Sequence, residues 1–168
     1  MGVSGSGKST LATHLAQLLG CPMLEGDAFH SPSSIAKMQS GHALDDADRW
    51  PWLDRLGTAL GEAALDAEPP RIAVAACSAL KRSYRDRLAA ASRVPLSFVL
   101  LDTGHDEIAR RLATRTGHYM PPSLLDSQFA TLERPTADEN AVLLNAAQTP
   151  DALATAVFTW LDVTIPSR

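Results

Sequence analysis

Apolar positions along the chain switch between a helical period and short unbroken runs. Leu11, Leu15, Leu18 and Leu19 recur at helical spacing, and Gly20 can terminate that helix. Pro22, Met23 and Leu24 predict a short buried strand that ends at Glu25-Gly26-Asp27. Trp52, Leu53, Leu56, Leu60 and Ala64 mark a second helix, closed by Pro69-Pro70. Ile72 to Cys77 is apolar throughout, which predicts a strand covered on both faces. A basic helix around Ser83–Ala91 and a strand over Leu96–Leu101 follow. Further on, the pattern predicts helices near Asp106–Arg115, Ser123–Leu132 and Asp151–Leu161, with a short strand near Val142–Leu144. Strands alternating with helices imply an α/β fold, a parallel sheet with helices on both faces. Gly117–Pro122 reads as a loop within one domain rather than a linker between two.

Composition narrows the class. A chain of 168 residues, 45% hydrophobic and 20% charged, suits a single globular domain. Its net charge of −4 supplies no broad basic field, which argues against nucleic acid as a partner. No apolar run approaches the roughly 18 residues that a membrane span needs, and the first residues lack a signal-peptide pattern. Cys21 and Cys77 cannot build a disulfide framework, and no Cys/His cluster has zinc spacing. The expected setting is cytoplasmic, without a membrane partner.

Gly2-Val3-Ser4-Gly5-Ser6-Gly7-Lys8-Ser9 matches G-x-x-x-x-G-K-[ST] in full and runs into the first helix at Thr10. Glycines let successive backbone N–H groups turn inward around a phosphate at a helix N-terminus. Lys8 can reach the β- and γ-phosphates, and the Ser9 hydroxyl can bind Mg²⁺. Residues Gly2 to Thr10 are therefore the expected ATP site. Such a loop normally joins a strand to its helix, yet only Met1 precedes it, and a strand needs about five residues. The central first strand is thus expected to be missing from this chain, either because the start falls at an internal Met and the true chain begins upstream, or because the fold truly lacks that strand.

The acceptor side is read from carboxylates and cations. Asp27 ends a strand on the edge where ligands of such sheets bind. There it can orient or deprotonate a hydroxyl and reach Mg²⁺ through water; the alternative is a helix N-cap. His30 can serve a ligand or only a helix start. Arg49 can grip a carboxylate or pair with Asp46 or Asp48 as a surface ion pair. Trp50 and Trp52 read as packing, and Cys77 as a small apolar residue. Lys8, Lys37 and Lys81 are the only lysines, and each falls in a motif.

The segments E-G-D-x-x-H, K-M-x-x-G, D-R-x-P-W-L, C-S-A-L-K-x-x-Y-R, R-x-G-H and S-Q-F-x-x-L-E occur in this order between Glu25 and Glu133. With the phosphate loop, they make the chain resemble the P-loop gluconokinases of the thermoresistant type. The resemblance implies a fold like that of shikimate and nucleoside-monophosphate kinases, with a five-stranded parallel sheet, a substrate region over about 28–68 and a lid over about 111–125. It implies transfer of the ATP γ-phosphoryl to D-gluconate, with ATP and Mg²⁺ as cofactors and a homodimer as assembly. Asp27 would stand by the acceptor hydroxyl and, with Ser9, near the metal. His30, Lys37, Arg49, Ser78 and Lys81 would line the gluconate pocket, and Arg111 and Arg115 would bring charge from the lid. The family usually has a proline after His30 and an asparagine before Ile35; Ser31 and Ser34 stand there instead. Ala43 and Ala47 also replace a usual proline and a common acidic residue. A kinase for another hydroxy acid such as shikimate, and a nucleotide-binding module without catalysis, remain the rival readings.

Overall fold

A computed structural model describes residues 1–114 and 122–162. Four strands and seven helices alternate: α1 (Lys8–Leu19), β1 (Met23–Glu25), a 3-10 turn (Gly26–Phe29), α2 (Pro32–Gln39), α3 (Asp46–Asp66), β2 (Val74–Ala76), α4 (Arg82–Ser92), β3 (Phe98–Asp102), α5 (His105–Thr114), α6 (Pro122–Thr131), β4 (Ala141–Asn145) and α7 (Pro150–Leu161). The expected α/β architecture is present. Alternate strand residues face opposite layers. Val74, Val99 and Leu144 pack toward α1 and α7, around Leu11, Leu15, Val157 and Phe158. Leu24, Ala75 and Phe98 pack toward α3 and α4, around Trp52, Leu53, Leu56 and Leu88.

Two helices depart from the sequence pattern. α2 was not expected, since Ile35 and Met38 alone give it no apolar stripe. It forms because Ser31 caps it, accepting the Ser34 N–H at 3.1 Å, with Pro32 in the first turn. α3 begins at Asp46 rather than Trp52, started by a reciprocal capping box between Asp45 and Asp48. Pro51 falls inside this helix, in its second turn, where it offers no N–H to the Ala47 carbonyl. α3 and α4 approach so closely that a Cβ on Gly61 would lie 2.0 Å from the Ser92 carbonyl oxygen.

Among the described residues the five-stranded sheet implied by the family resemblance is not formed. β1 pairs with β2 in parallel (Leu24 with Ala75), and β3 with β4 in parallel (Leu100 with Leu143), as two separate pairs. Between them lies a cavity of about 530 Å³ lined by apolar side chains that include Leu11, Leu56, Val74, Phe98 and Val99. Met1 and Gly2 bridge its end. The Met1 amine donates to the Val99 carbonyl at 2.5 Å, and the Met1 carbonyl accepts from Leu101 at 3.0 Å. Gly2 donates to the Ser78 carbonyl at 3.1 Å on the β2 side. Two residues thus make the bonds of a parallel neighbour, but two residues cannot carry a ladder.

Candidate active site

The phosphate loop wraps the N-terminus of α1. Gly7 caps that helix in the left-handed conformation, φ 96°, with no side-chain cap. The first-turn N–H groups are therefore not spent on a capping side chain, which leaves them suited to an anion. Lys8 Nζ donates to the Val3 carbonyl at 3.0 Å, which folds its ammonium back over the loop. The Ser6 hydroxyl, 1% exposed, has no hydrogen-bond partner, the kind of orphaned polar group that a ligand can satisfy. Ser4 donates its N–H to Gln128 Oε1 on α6 at 2.7 Å. Thr10 is exposed on the first turn of α1.

β1 delivers the acidic segment beside this loop. The Ser9 hydroxyl donates to Glu25 Oε2 at 2.6 Å. Gly26 follows because a Cβ there would lie 2.6 Å from the Ala76 carbonyl oxygen. Asp27 is exposed in the 3-10 turn and caps no helix, since Glu25 holds the N-cap position without a side-chain bond. The Gly26 carbonyl accepts from Trp52 Nε1 at 2.7 Å. Trp52 in turn stacks on His30, with ring centroids 4.3 Å apart and planes inclined by 16°. Burial is the main cause that pulls the His30 pKa down, with Arg49 and Arg55 adding to it against Asp27. His30 is therefore a neutral ring at neutral pH.

A second cavity, about 570 Å³, opens among Asp45, Asp46, Arg49, Lys81, Tyr84 and their neighbours. Lys81 Nζ donates to Asp46 Oδ1 at 2.8 Å, and the Tyr84 hydroxyl donates to the same oxygen at 2.5 Å. These two bonds, Lys81 first, hold the Asp46 carboxyl below its usual range. Arg49 Nε donates to the Leu44 carbonyl at 3.3 Å, and its guanidinium lies 5.5 Å from the centre of the Tyr84 ring. The cavity thus offers cationic groups, a phenol and a carboxylate around one space, a set that can bind a polyhydroxylated acid.

The other sequence candidates lie apart from that cavity's lining. Lys37 Nζ donates to Asp48 at 2.5 Å and to Asp45 at 3.1 Å, which joins α2 to the start of α3. Ser34, 4% exposed, shares a hydroxyl contact of 2.9 Å with Ser31 and so serves the cap of α2. Ser78 meets the loop through its carbonyl. Among the described residues Arg49 forms no ion pair with Asp46 or Asp48, which are held by Lys81 and Lys37 instead. Arg111 on α5 donates to Glu107 at 2.8 Å and to the Ala146 carbonyl at 3.0 Å, beside the end of β4. Arg115 and the rest of 115–121 in the expected lid lie outside the described residues. Cys77 is buried, and burial pushes its thiol up to about 11.

The family model described as an AAA domain matches residues 1–135. The chain is 48% identical over 153 residues to a gluconokinase of Gluconobacter oxydans, a match that covers 91% of this chain and 84% of that protein. The chain belongs to the gluconokinase family. A sugar kinase from Janibacter sp., solved without ligand, is similar over 100% of this chain and 96% of its own, with a TM-score of 0.88 at 43% identity. A gluconokinase from Sinorhizobium meliloti is similar over 96% and 89%, with a TM-score of 0.83 at 42% identity. The P-loop kinase fold expected from the sequence is thereby established.

Sequence reasoning gave no role to four residues that the structure places at these sites. Glu25 meets Ser9, Gln128 meets the phosphate loop, and Asp46 with Tyr84 completes the cavity. Each stood in a quoted motif or beside one, but which side chain meets which depends on elements far apart in the chain. Among the described residues, no group of three or more His, Cys, Asp or Glu could hold a metal ion by itself, and no helix is long and apolar enough to cross a membrane.

Proposed function

We propose that this chain transfers the γ-phosphoryl group of ATP to D-gluconate, giving 6-phospho-D-gluconate and ADP. The observation that carries the reading is the cavity where Arg49 and Lys81 surround a space beside Asp46, in a chain with a complete phosphate loop. Gluconate combines one carboxylate with a chain of hydroxyls. A guanidinium can grip the carboxylate with two hydrogen bonds, while Asp46 and Tyr84 supply polar partners for hydroxyls. His30 and Lys37 complete the substrate region, about 28–68, and Ser78 borders it from the sheet side.

In this reading, Gly2 to Thr10 hold the nucleotide phosphates, and Lys8 neutralises charge on the transferring group. Asp27, exposed and committed to no cap, accepts the proton of the attacking hydroxyl. Ser9 would hold Mg²⁺, with Asp27 near through water and Glu25 fixing the Ser9 hydroxyl. Oxygen donors of this kind fit a hard cation that keeps most of its other ligands as water and phosphate. When bound, Mg²⁺ neutralises the β- and γ-phosphate oxygens. Arg111 and Arg115 belong to the lid, about 111–125, whose closure excludes water. The proposed assembly is a homodimer in the cytoplasm, as the family resemblance implies.

The test is ADP release from MgATP by the purified chain with D-gluconate, with shikimate and with neither, beside a Lys8→Ala control. Release that needs gluconate and disappears in the control is expected. Release driven by shikimate instead would assign another hydroxy-acid kinase, and ATP binding without any release would assign a nucleotide-binding module.

A further inference from the structure

Between the phosphate loop and the sugar cavity runs an unbroken series of contacts that the catalytic reading leaves unused. It starts at Ser4, whose N–H is held by Gln128 Oε1 at 2.7 Å. The same peptide offers its other end, the Val3 carbonyl, to Lys8 at 3.0 Å. One peptide unit is therefore held by the ammonium that serves the phosphates and by the helix α6. α6 seats Leu125, 3% exposed, in an apolar cluster with Val3, Leu80 and Ile108, and Phe129 and Leu132 pack on its edge.

At the far end of α6, Glu133 grips the turn that opens α4. Its N–H donates to the Leu80 carbonyl at 2.9 Å, and its Oε2 accepts the Arg82 N–H at 2.7 Å. Lys81, the N-cap position of α4, has no side-chain cap of its own, so Glu133 supplies one from outside. Arg85 locks this junction. With its side chain 2% exposed, it donates from Nη1 to the carbonyls of Ala79 at 3.3 Å and Glu133 at 3.1 Å, and its Nε and Nη2 hold both oxygens of Glu139, at 2.5 and 2.8 Å. Lys81 and Tyr84 then reach from this junction to Asp46 in the cavity.

We propose that α6, anchored by Gln128 on the phosphate loop and by Glu133 and Arg85 on the α4 junction, makes nucleotide binding and sugar-acid binding interdependent. The physical reason is economy of motion. A packed helix bonded at both ends moves as a unit, so a phosphate that shifts the Val3–Ser4 peptide shifts the frame of Lys81 and Tyr84 with it. Such coupling is reciprocal: whatever nucleotide does to gluconate affinity, gluconate does to nucleotide affinity. Gln128, Glu133 and Arg85 act here as positioning residues. The inference rests on the gluconokinase reading for the identity of the second ligand.

Calorimetry measures gluconate affinity with and without a non-hydrolysable ATP analogue, in the full chain and in Gln128→Met, Glu133→Ala and Glu133→Gln. The parent chain is expected to bind gluconate at least about 5-fold more tightly with the analogue present. Gln128→Met, which keeps the volume but removes the acceptor, brings that ratio to within about twofold of one. Glu133→Ala does the same, whereas Glu133→Gln keeps an acceptor for the Arg82 N–H and keeps the ratio. A ratio of one in the parent, or an unchanged ratio in Gln128→Met, would overturn the link. Hydrogen exchange separates this from the substrate reading. The analogue alone should slow exchange at Arg82 and Arg85 in the parent and not in Gln128→Met, and this holds even if gluconate never binds. Loss of that protection difference counts against the link itself; absence of gluconate binding with the difference intact counts only against the substrate.

Discussion

The two faces of the sheet are finished very differently from its middle. On the α3–α4 side, Trp52, Leu53, Leu56 and Tyr84 are each 1% exposed or less, and the helices close backbone against backbone at Gly61 and against Ala91 and the Leu88 carbonyl at Gly57. In the middle, β2 and β3 stand apart across about 530 Å³ of apolar space, bridged at one end by Met1 and Gly2. Both regions are built from short apolar segments, so hydrophobicity does not separate them. What separates them is backbone hydrogen bonding. Helices satisfy their own main chain and need only complementary side chains, whereas a strand needs a neighbour along its whole length. The cavity around Arg49 and Lys81 grows from the finished region, and the phosphate loop grows from the open one.

The largest expected effect lies on the seam between the two regions. Asp27→Ala should lower gluconate-dependent turnover by about 10²–10⁴-fold while leaving the melting temperature unchanged, because the side chain is exposed and caps nothing. Turnover near the parent value would remove Asp27 from the reaction. Arg49→Met should raise the KM for gluconate by about 10- to 100-fold, in line with the loss of a charged hydrogen bond, with a smaller change in the KM for ATP.

The packing contrast itself can be broken from either side. Gly61→Ala forces a Cβ to 2.0 Å from the Ser92 carbonyl, so the tight region should lose about 1–3 kcal/mol or more in urea unfolding. A stability equal to the parent would mean that α3 and α4 can slide apart freely. The open region should respond in the opposite sense. Five apolar, β-branched residues placed before Met1, able to extend along β2 and β3, should raise the melting temperature by several degrees, on the order of 2–4 °C per kcal/mol gained. A glycine-serine extension of equal length should not.

The smallest effect is a titration. Burial holds the His30 ring below its ordinary range. Its folded pKa is thus below its unfolded one, so its contribution is present above the unfolded pKa and is lost as pH falls through the folded one. Thermal melts should therefore decline on the acid side of the ordinary histidine range, and His30→Gln should flatten that decline.

Much of the site was legible because its signals are local. The phosphate loop works through consecutive N–H groups, so Gly2 to Ser9 could be read from spacing alone. Helices α1, α5 and α7 carry their own period, and the ends of β2 and β3 are marked by apolar runs. α2 was missed because its start depends on two serine hydroxyls rather than on an apolar stripe. The early start of α3 depends likewise on Asp45 and Asp48, which read in sequence as charges around Arg49 and function in the fold as a cap.

The sequence by itself determined the phosphate chemistry, the α/β class and the order of the motifs, since each rests on residues only a few positions apart. Tertiary structure decided which groups meet. It gave Ser9 to Glu25, sent Lys37 to Asp45 and Asp48, left Arg49 and Lys81 around one cavity, and buried Arg85 against Glu139. It also opened the space between β2 and β3. Contacts between groups that are distant in the chain depend on how whole elements pack, and many partners of equal charge compete for each of them. Local spacing carries no information about which partner wins that competition.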